Sequence, residues 1–203
     1  MLFGTHARLS DADFGITFRG QAVNRVFEFK SLGVIFDEHI SWNSHVKYVL
    51  SWSGKRLRML GGIRGNLSSD CANSIYTACI PPIMDYCDTV WNCRGIGNSS
   101  PLERLQRRAA KIVSKTSDCD RALNYLKWSS LVNRRKSHVN ELVKRCIKGQ
   151  CSQFFKSYFT FNSSVHNRIM RQMTMLHLLK IRTALAKNSF YFNSSVIINR
   201  LNF

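Results

Sequence analysis

After Glu141 the chain contains no acidic residue. Residues 121–203 hold 15 Lys+Arg against that single carboxylate, a net of +14, whereas residues 1–120 hold 15 against 11, a net of +4. A cationic excess of that size opposes compaction unless a polyanion neutralises it, which makes nucleic acid the leading partner. Other absences narrow the classes. No window reaches about 18 uninterrupted apolar residues and no signal peptide opens the chain, so no membrane partner is expected. The seven cysteines include no C-x-x-C pair, and no His stands at zinc spacing. Cys71, Cys79 and Cys87 lie eight apart, as core positions on helices do. The expectation is reduced, buried thiols in an intracellular protein of nucleus or cytoplasm, not a secreted one. There is no P-loop, no G-x-S-x-G and no convincing Cys–His pair, so an independent enzyme with a small-molecule substrate is the least supported class. Asp11 with Asp13 reads as loop, Asp85 with Asp88 as solvated or capping acids, and His39 and His45 around Trp42 as structural.

What is present reads as α+β, mainly α. The 203 residues and 44% hydrophobic content suit one domain or two small ones. Residues 1–42 read as β. GITF (15–18), a turn at Arg19–Gly20 and AVNRVFEF (22–29) predict a hairpin. SLGVIF (31–36) predicts a further strand whose Gly33 allows a bulge or a close backbone approach. Residues 43–149 read as a helical bundle. Val46, Val49, Leu50, Ser53, Leu57 and Leu60 share one face of a first helix, with Asn43 as cap and Gly61–Gly62 as stop. Lys47, Lys55 and Arg58 lie off that face, and Trp52 is either packing or a stacking platform. Ser69 caps the next helix, which Pro81–Pro82 must kink or end before IMDYCDTVW resumes it.

The stretch 100–115, SPLERLQRRAAKIVSK, carries capping chemistry at its start: Ser100 and Glu103 at box spacing and Pro101 at the first helical position. The preceding CRGIGNSS (93–100) reads as loop. Leu102, Leu105, Ala109, Ile112 and Val113 then fall on one stripe; Arg104, Arg107, Arg108, Lys111 and Lys115 fall nearly opposite. Asp118 or Asp120 caps a short helix. Ser129 or Ser130 begins another, with Leu131, Val139, Leu142 and Val143 inward, Gly149 as stop, and Arg134, Arg135, Lys136, Lys144, Arg145 and Lys148 making it basic. Residues 150–203 form a basic, aromatic-rich tail without a clean period. FNSSVHNRI and FNSSVIINRL within it are either a chance match or short β segments.

In order and spacing, MLFG, GITFRGQAV, FKSLGVIFDEHISWNSHV, YTACIPPIMDYCDTVW, LERLQRRAAKIV, LNYLKWSSLVNRR and RTALAKNSFYF resemble the C-terminal part of non-LTR (LINE, jockey-like) retrotransposon reverse transcriptases. The resemblance spans nearly the whole chain. It implies that the FK-x-LGV segment holds the primer end, through Lys30, Leu32 and Gly33. It implies that the later helices form a thumb around the template–primer, with backbone contacts among Lys47, Lys55, Arg56, Arg58, Arg64, Arg104, Arg107, Arg108, Lys111, Arg134 and Arg135. The family's Y-x-D-D turn is not in this sequence. The parent polymerase would need magnesium, but this fragment is expected to hold no cofactor and not to polymerise. Met1 then reads as an internal methionine of a longer frame, and a hairpin parted from its palm leaves apolar surface uncovered. Ser152 and Leu179 stand where the pattern has prolines, and Asn199–Arg200–Leu201 replaces its W-N-x-L-P ending. Two readings compete with this one: a basic helical scaffold for an acidic protein partner, and a relic reading frame without function.

Overall fold

The computed structural model describes residues 1, 3–4, 15–91, 95–165, 173–182, 184–187 and 189–201. Two small antiparallel strand pairs lie near the N-terminus and helices follow. The first pair joins β1 (Thr17–Phe18) to β2 (Gln21–Ala22); the second joins β3 (Glu28–Ser31) to β4 (Val34–Asp37). Each is closed by two residues at positive φ, Arg19–Gly20 (52° and 78°) and Leu32–Gly33 (46° and 83°). Turns of that hand match the twist of paired strands. The expected hairpin across Arg19–Gly20 is present but short, ending near residue 23, and residues 28–29 do not belong to it. Each glycine closes its own hairpin, so β3 pairs forward with β4, Lys30 opposite Ile35. Gly33 is indeed a close approach: a Cβ there would stand 3.1 Å from Tyr86 Cε1, and the Tyr86 hydroxyl donates to the Leu32 carbonyl at 2.8 Å. Asp11 and Asp13 lie outside the described residues.

Helix α1 (Asn43–Ile63) is entered through Trp42, a buried residue in the left-handed region at φ 65°. Asn43 is its first residue, not its cap. The chain is turned instead by Asp37, whose carboxylate accepts from the backbone N–H groups of His39, Ser41 and Trp42 and from the Ser41 hydroxyl, at 2.9–3.1 Å. The inward face matches the predicted one, with Leu50 half-buried. Gly61 and Gly62 do not stop the helix, because packing overrides their weak propensity: a Cβ at Gly61 would lie 3.9 Å from Ile112 Cδ1.

A 3₁₀ turn (Arg64–Asn66) leads to α2 (Ser69–Cys79). Ser68, not Ser69, caps α2, accepting from Cys71 N–H at 3.2 Å. Pro81 opens α3 (Pro81–Asp85), as a residue without an N–H should; α4 (Asp88–Trp91) follows. Helix α5 (Gly95–Ser114) starts earlier than its capping signature, and Pro101 lies inside it. The loop predicted for 93–100 is therefore helical from Gly95, and Glu103 accepts from Leu131 N–H instead of closing a capping box. Asp118 caps α6 (Cys119–Leu126) and Ser130 caps α7 (Leu131–Ile147). Gly149 at φ 72° ends α7: its N–H donates to Cys146 and that of Gln150 to Arg145, the Schellman pattern.

The last segment holds α8 (Gln153–Tyr158), α9 (Asn162–Val165), α10 (Ala184–Lys187) and α11 (Phe190–Leu201). The two FNSSV copies are mainly helical rather than β; Phe161 alone makes a bridge, to Leu176. Two hydrophobic clusters share α7. The first centres on Val46, Val49, Leu57, Tyr76, Met84, Trp91, Leu102, Val113 and Leu131. The second gathers Val143, Cys146, Phe159, Leu176 and Ile198. Burial pushes the Cys146 thiol up to about 11, as for a packed thiol, with Cys151 adding to it. Cys71, however, is exposed. It follows the Ser68 cap on the outer side of α2.

Candidate nucleic-acid interface

Helices α1 and α5 lie side by side. Gly54 faces Leu105 and Gly61 faces Ile112, both steps seven residues, so the two helices run in the same direction at the contact. Missing side chains at Gly54 and Gly61 leave a cleft of about 380 Å³. Leu57, Leu105 and Ile112 contribute apolar lining, and Arg58, Arg104 and Arg108 line it too. All three arginines are exposed. None has an acidic partner among the described residues. The basic stripe read from the sequence of α5 is thus on the surface, with Arg104, Arg108 and Lys111 unpaired among those residues and Arg107 shared with Asp120 at 3.1 Å.

On α1, Lys47 and Lys55 are exposed, and the Lys55 ammonium stands 5.0 Å over the Trp52 ring. Trp52 is not packed away; it is an exposed ring tilted against Tyr48. Arg56 turns back to donate to the Cys79 carbonyl at 2.8 Å. Lys30 donates to the Tyr48 hydroxyl at 3.2 Å and covers its ring at 4.5 Å. Leu32 is 88% exposed at the tip of the second hairpin. Beside it, Gly33 is exposed but leaves little room for a Cβ next to Tyr86, so of the implied primer-holding trio Lys30 and Leu32 present side chains and Gly33 presents backbone.

Three expected contacts are overturned by burial or pairing. Arg64 is 5% exposed and donates to the carbonyls of Ile112 (3.0 Å), Val113 (2.7 Å) and Leu67 and to the Ser69 hydroxyl. Its cation sits on the orphan carbonyls at the C-terminal end of α5, where the helix dipole favours it. Arg135 is 2% exposed, 4.6 Å over the Trp91 ring, with burial drawing its pKa down. Arg134 is half-buried and grips Asp85 at 2.9 Å. A phosphate has no access to the first two and meets a neutralised third.

No local signal in the sequence points to the partners of these groups. Asp85 and Asp88 are taken up 49 and 50 residues downstream in α7, Asp88 by the His138 Nδ1–H at 2.7 Å. They are not solvated acids: Asp88 is buried, which raises its pKa although His138 opposes the rise. Both carboxylates are taken up within the fold, Asp85 by Arg134 and Asp88 by His138. No group of three or more His, Cys, Asp or Glu among the described residues is arranged to hold a metal ion. His45 is structural, its Nδ1 accepting from Ile35 N–H at 3.3 Å, with burial and then Lys30 lowering its pKa. No helix among the described residues is long and apolar enough to cross a membrane.

No protein-family model, no curated protein and no solved structure matches this chain.

Proposed function

We propose that the chain is a non-catalytic, thumb-like part of an RNA-directed DNA polymerase of the non-LTR retrotransposon kind, gripping template–primer nucleic acid by its backbone phosphates. The observation that carries this reading is the cleft between α1 and α5, where Arg58, Arg104 and Arg108 surround an apolar floor without carboxylate partners among the described residues. Unpaired guanidiniums held on two packed helices suit phosphate oxygens, which they meet bidentately, and such contacts fix position without reading sequence. The ordered motifs of the resemblance support the same reading. So do the exposed Phe18, Phe29 and Leu32 of the two hairpins and Phe27 between them, apolar surface of the kind a palm would cover. Catalysis is assigned elsewhere in the parent protein, since the Y-x-D-D turn is not in this sequence.

The corrected set leaves six exposed cations on α1 and α5 free of both carboxylate and carbonyl partners among the described residues: Lys47, Lys55, Arg58, Arg104, Arg108 and Lys111. Filter binding of an RNA–DNA hybrid from low to high salt tests the reading. Six phosphate contacts at ~0.9 each predict that log affinity falls with log salt at a slope of about −5, with little dependence on base sequence. A flat response refutes the proposal, as does binding that favours one sequence by orders of magnitude.

A further inference from the structure

Beyond the cleft, the last part of the chain presents a surface of different chemistry. In α8 the sequence QFFKSY puts three aromatic rings outward within six residues: Phe154 is 63% exposed, Phe155 44% and Tyr158 43%. The rings meet edge to face and are not stacked. Phe154 meets Phe155 at 78° and Tyr158 at 74°, with centroids 5.9 and 5.0 Å apart, so their faces point in different directions. Their mounting is firm. The next residue, Phe159, is buried in the second core against Phe190 and Tyr191, and Tyr191 also meets Tyr158 at 5.9 Å and donates to the His177 carbonyl.

Cations border the rings. Lys156 lies between them in sequence, and its Nζ is 4.0 Å from where a Cβ of Gly149 would stand, at the end of α7. Lys144, Arg145 and Lys148 are exposed on the preceding turn. None of these four cations is in an ion pair among the described residues, and Glu141 on α7 is the last acidic residue of the sequence.

We propose that α8 and the end of α7 form a second nucleic-acid contact, selective for single strands, in which Phe154, Phe155 and Tyr158 stack on unpaired bases while Lys148 and Lys156 hold the backbone. Exposed aromatic faces interleaved with cations are what an unpaired strand needs, because every base has a π-face and every linkage a charge. A paired duplex offers only its terminal base faces, so this surface is distinct from the α1–α5 cleft. A lipid surface fits less well: six residues with Gln153 and Ser157 interleaved lack the long apolar stripe of an interfacial helix.

The test uses the 203-residue chain and fluorescence anisotropy with a labelled oligouridylate and an abasic sugar–phosphate strand of equal length. The proposal predicts tighter binding to the base-bearing strand. It predicts that Phe154→Leu with Tyr158→Leu, which keeps apolar bulk but removes π-faces, weakens that binding roughly tenfold to a hundredfold. Affinity for the abasic strand and for the hybrid duplex stays unchanged. Equal affinity for the two strands overturns the proposal, and so does undiminished oligouridylate binding by the double-leucine variant. Capture by anionic vesicles that depends on these two residues, in place of oligonucleotide binding, overturns it as well. Loss of hybrid binding by the parent chain, with oligouridylate binding kept, refutes the duplex grip and leaves this surface standing.

Discussion

Asp37 and Arg64 each gather four or more hydrogen bonds, and each fixes a place where the backbone alone leaves groups unsatisfied. Burial by itself would raise the Asp37 pKa, but the donors of Ser41, Trp42 and His39 outweigh it and hold the carboxyl below its ordinary value. A carboxyl whose folded pKa is depressed adds stability above its unfolded pKa and loses it as pH falls through the folded one. Asp37→Asn is therefore expected to cost about 1–3 kcal/mol near neutral pH, with urea midpoints of parent and variant converging below about pH 4. Arg64→Met strips the end of α5 of its donors and is expected to cost about 2–4 kcal/mol by the same unfolding measurement. Neither role was legible in the sequence. An aspartate before a helix and an arginine after a glycine pair look ordinary until the chain folds, and Arg64 reads as one more phosphate contact. Its partners at the end of α5 lie 48 and 49 residues away.

At the scale of the element, periodicity was the reliable signal and local punctuation the unreliable one. The buried faces of α1, α5 and α7 follow from apolar spacing, and the basic stripe of α5 is exposed as its pattern implies. The boundaries moved wherever tertiary contact outweighed propensity. Helix α1 runs through Gly61 and Gly62, and α5 begins five residues ahead of Ser100 despite two glycines. These glycines respond differently to substitution. Gly62 has nothing within 4 Å of an added Cβ, and its φ is not in the left-handed region. Gly62→Ala is expected to raise stability by about 0.5–1 kcal/mol, seen as a higher thermal midpoint without change in nucleic-acid binding. The first hairpin and its turn at Arg19–Gly20 were legible, though it is shorter than expected; the pairing of β3 with β4 was not, because Leu32–Gly33 closed a second loop.

Across the whole molecule, two hydrophobic clusters joined through α7 hold two basic surfaces of different character. The mainly helical α+β class was legible from the change of period near residue 42. The membership of the candidate interface was legible only in part, since charge alone does not tell a surface arginine from one that caps a helix or sits over an indole. The cleft itself depends on Gly54 and Gly61 meeting Leu105 and Ile112, a juxtaposition that no single-helix pattern contains. The most direct measurement is the salt dependence of hybrid-duplex binding for the parent chain beside an Arg58→Ala, Arg104→Ala, Arg108→Ala variant. The account predicts a slope of about −5 for the parent and roughly −2.7 for the variant, three phosphate contacts at ~0.9 each having been lost. Identical slopes in a folded variant contradict it.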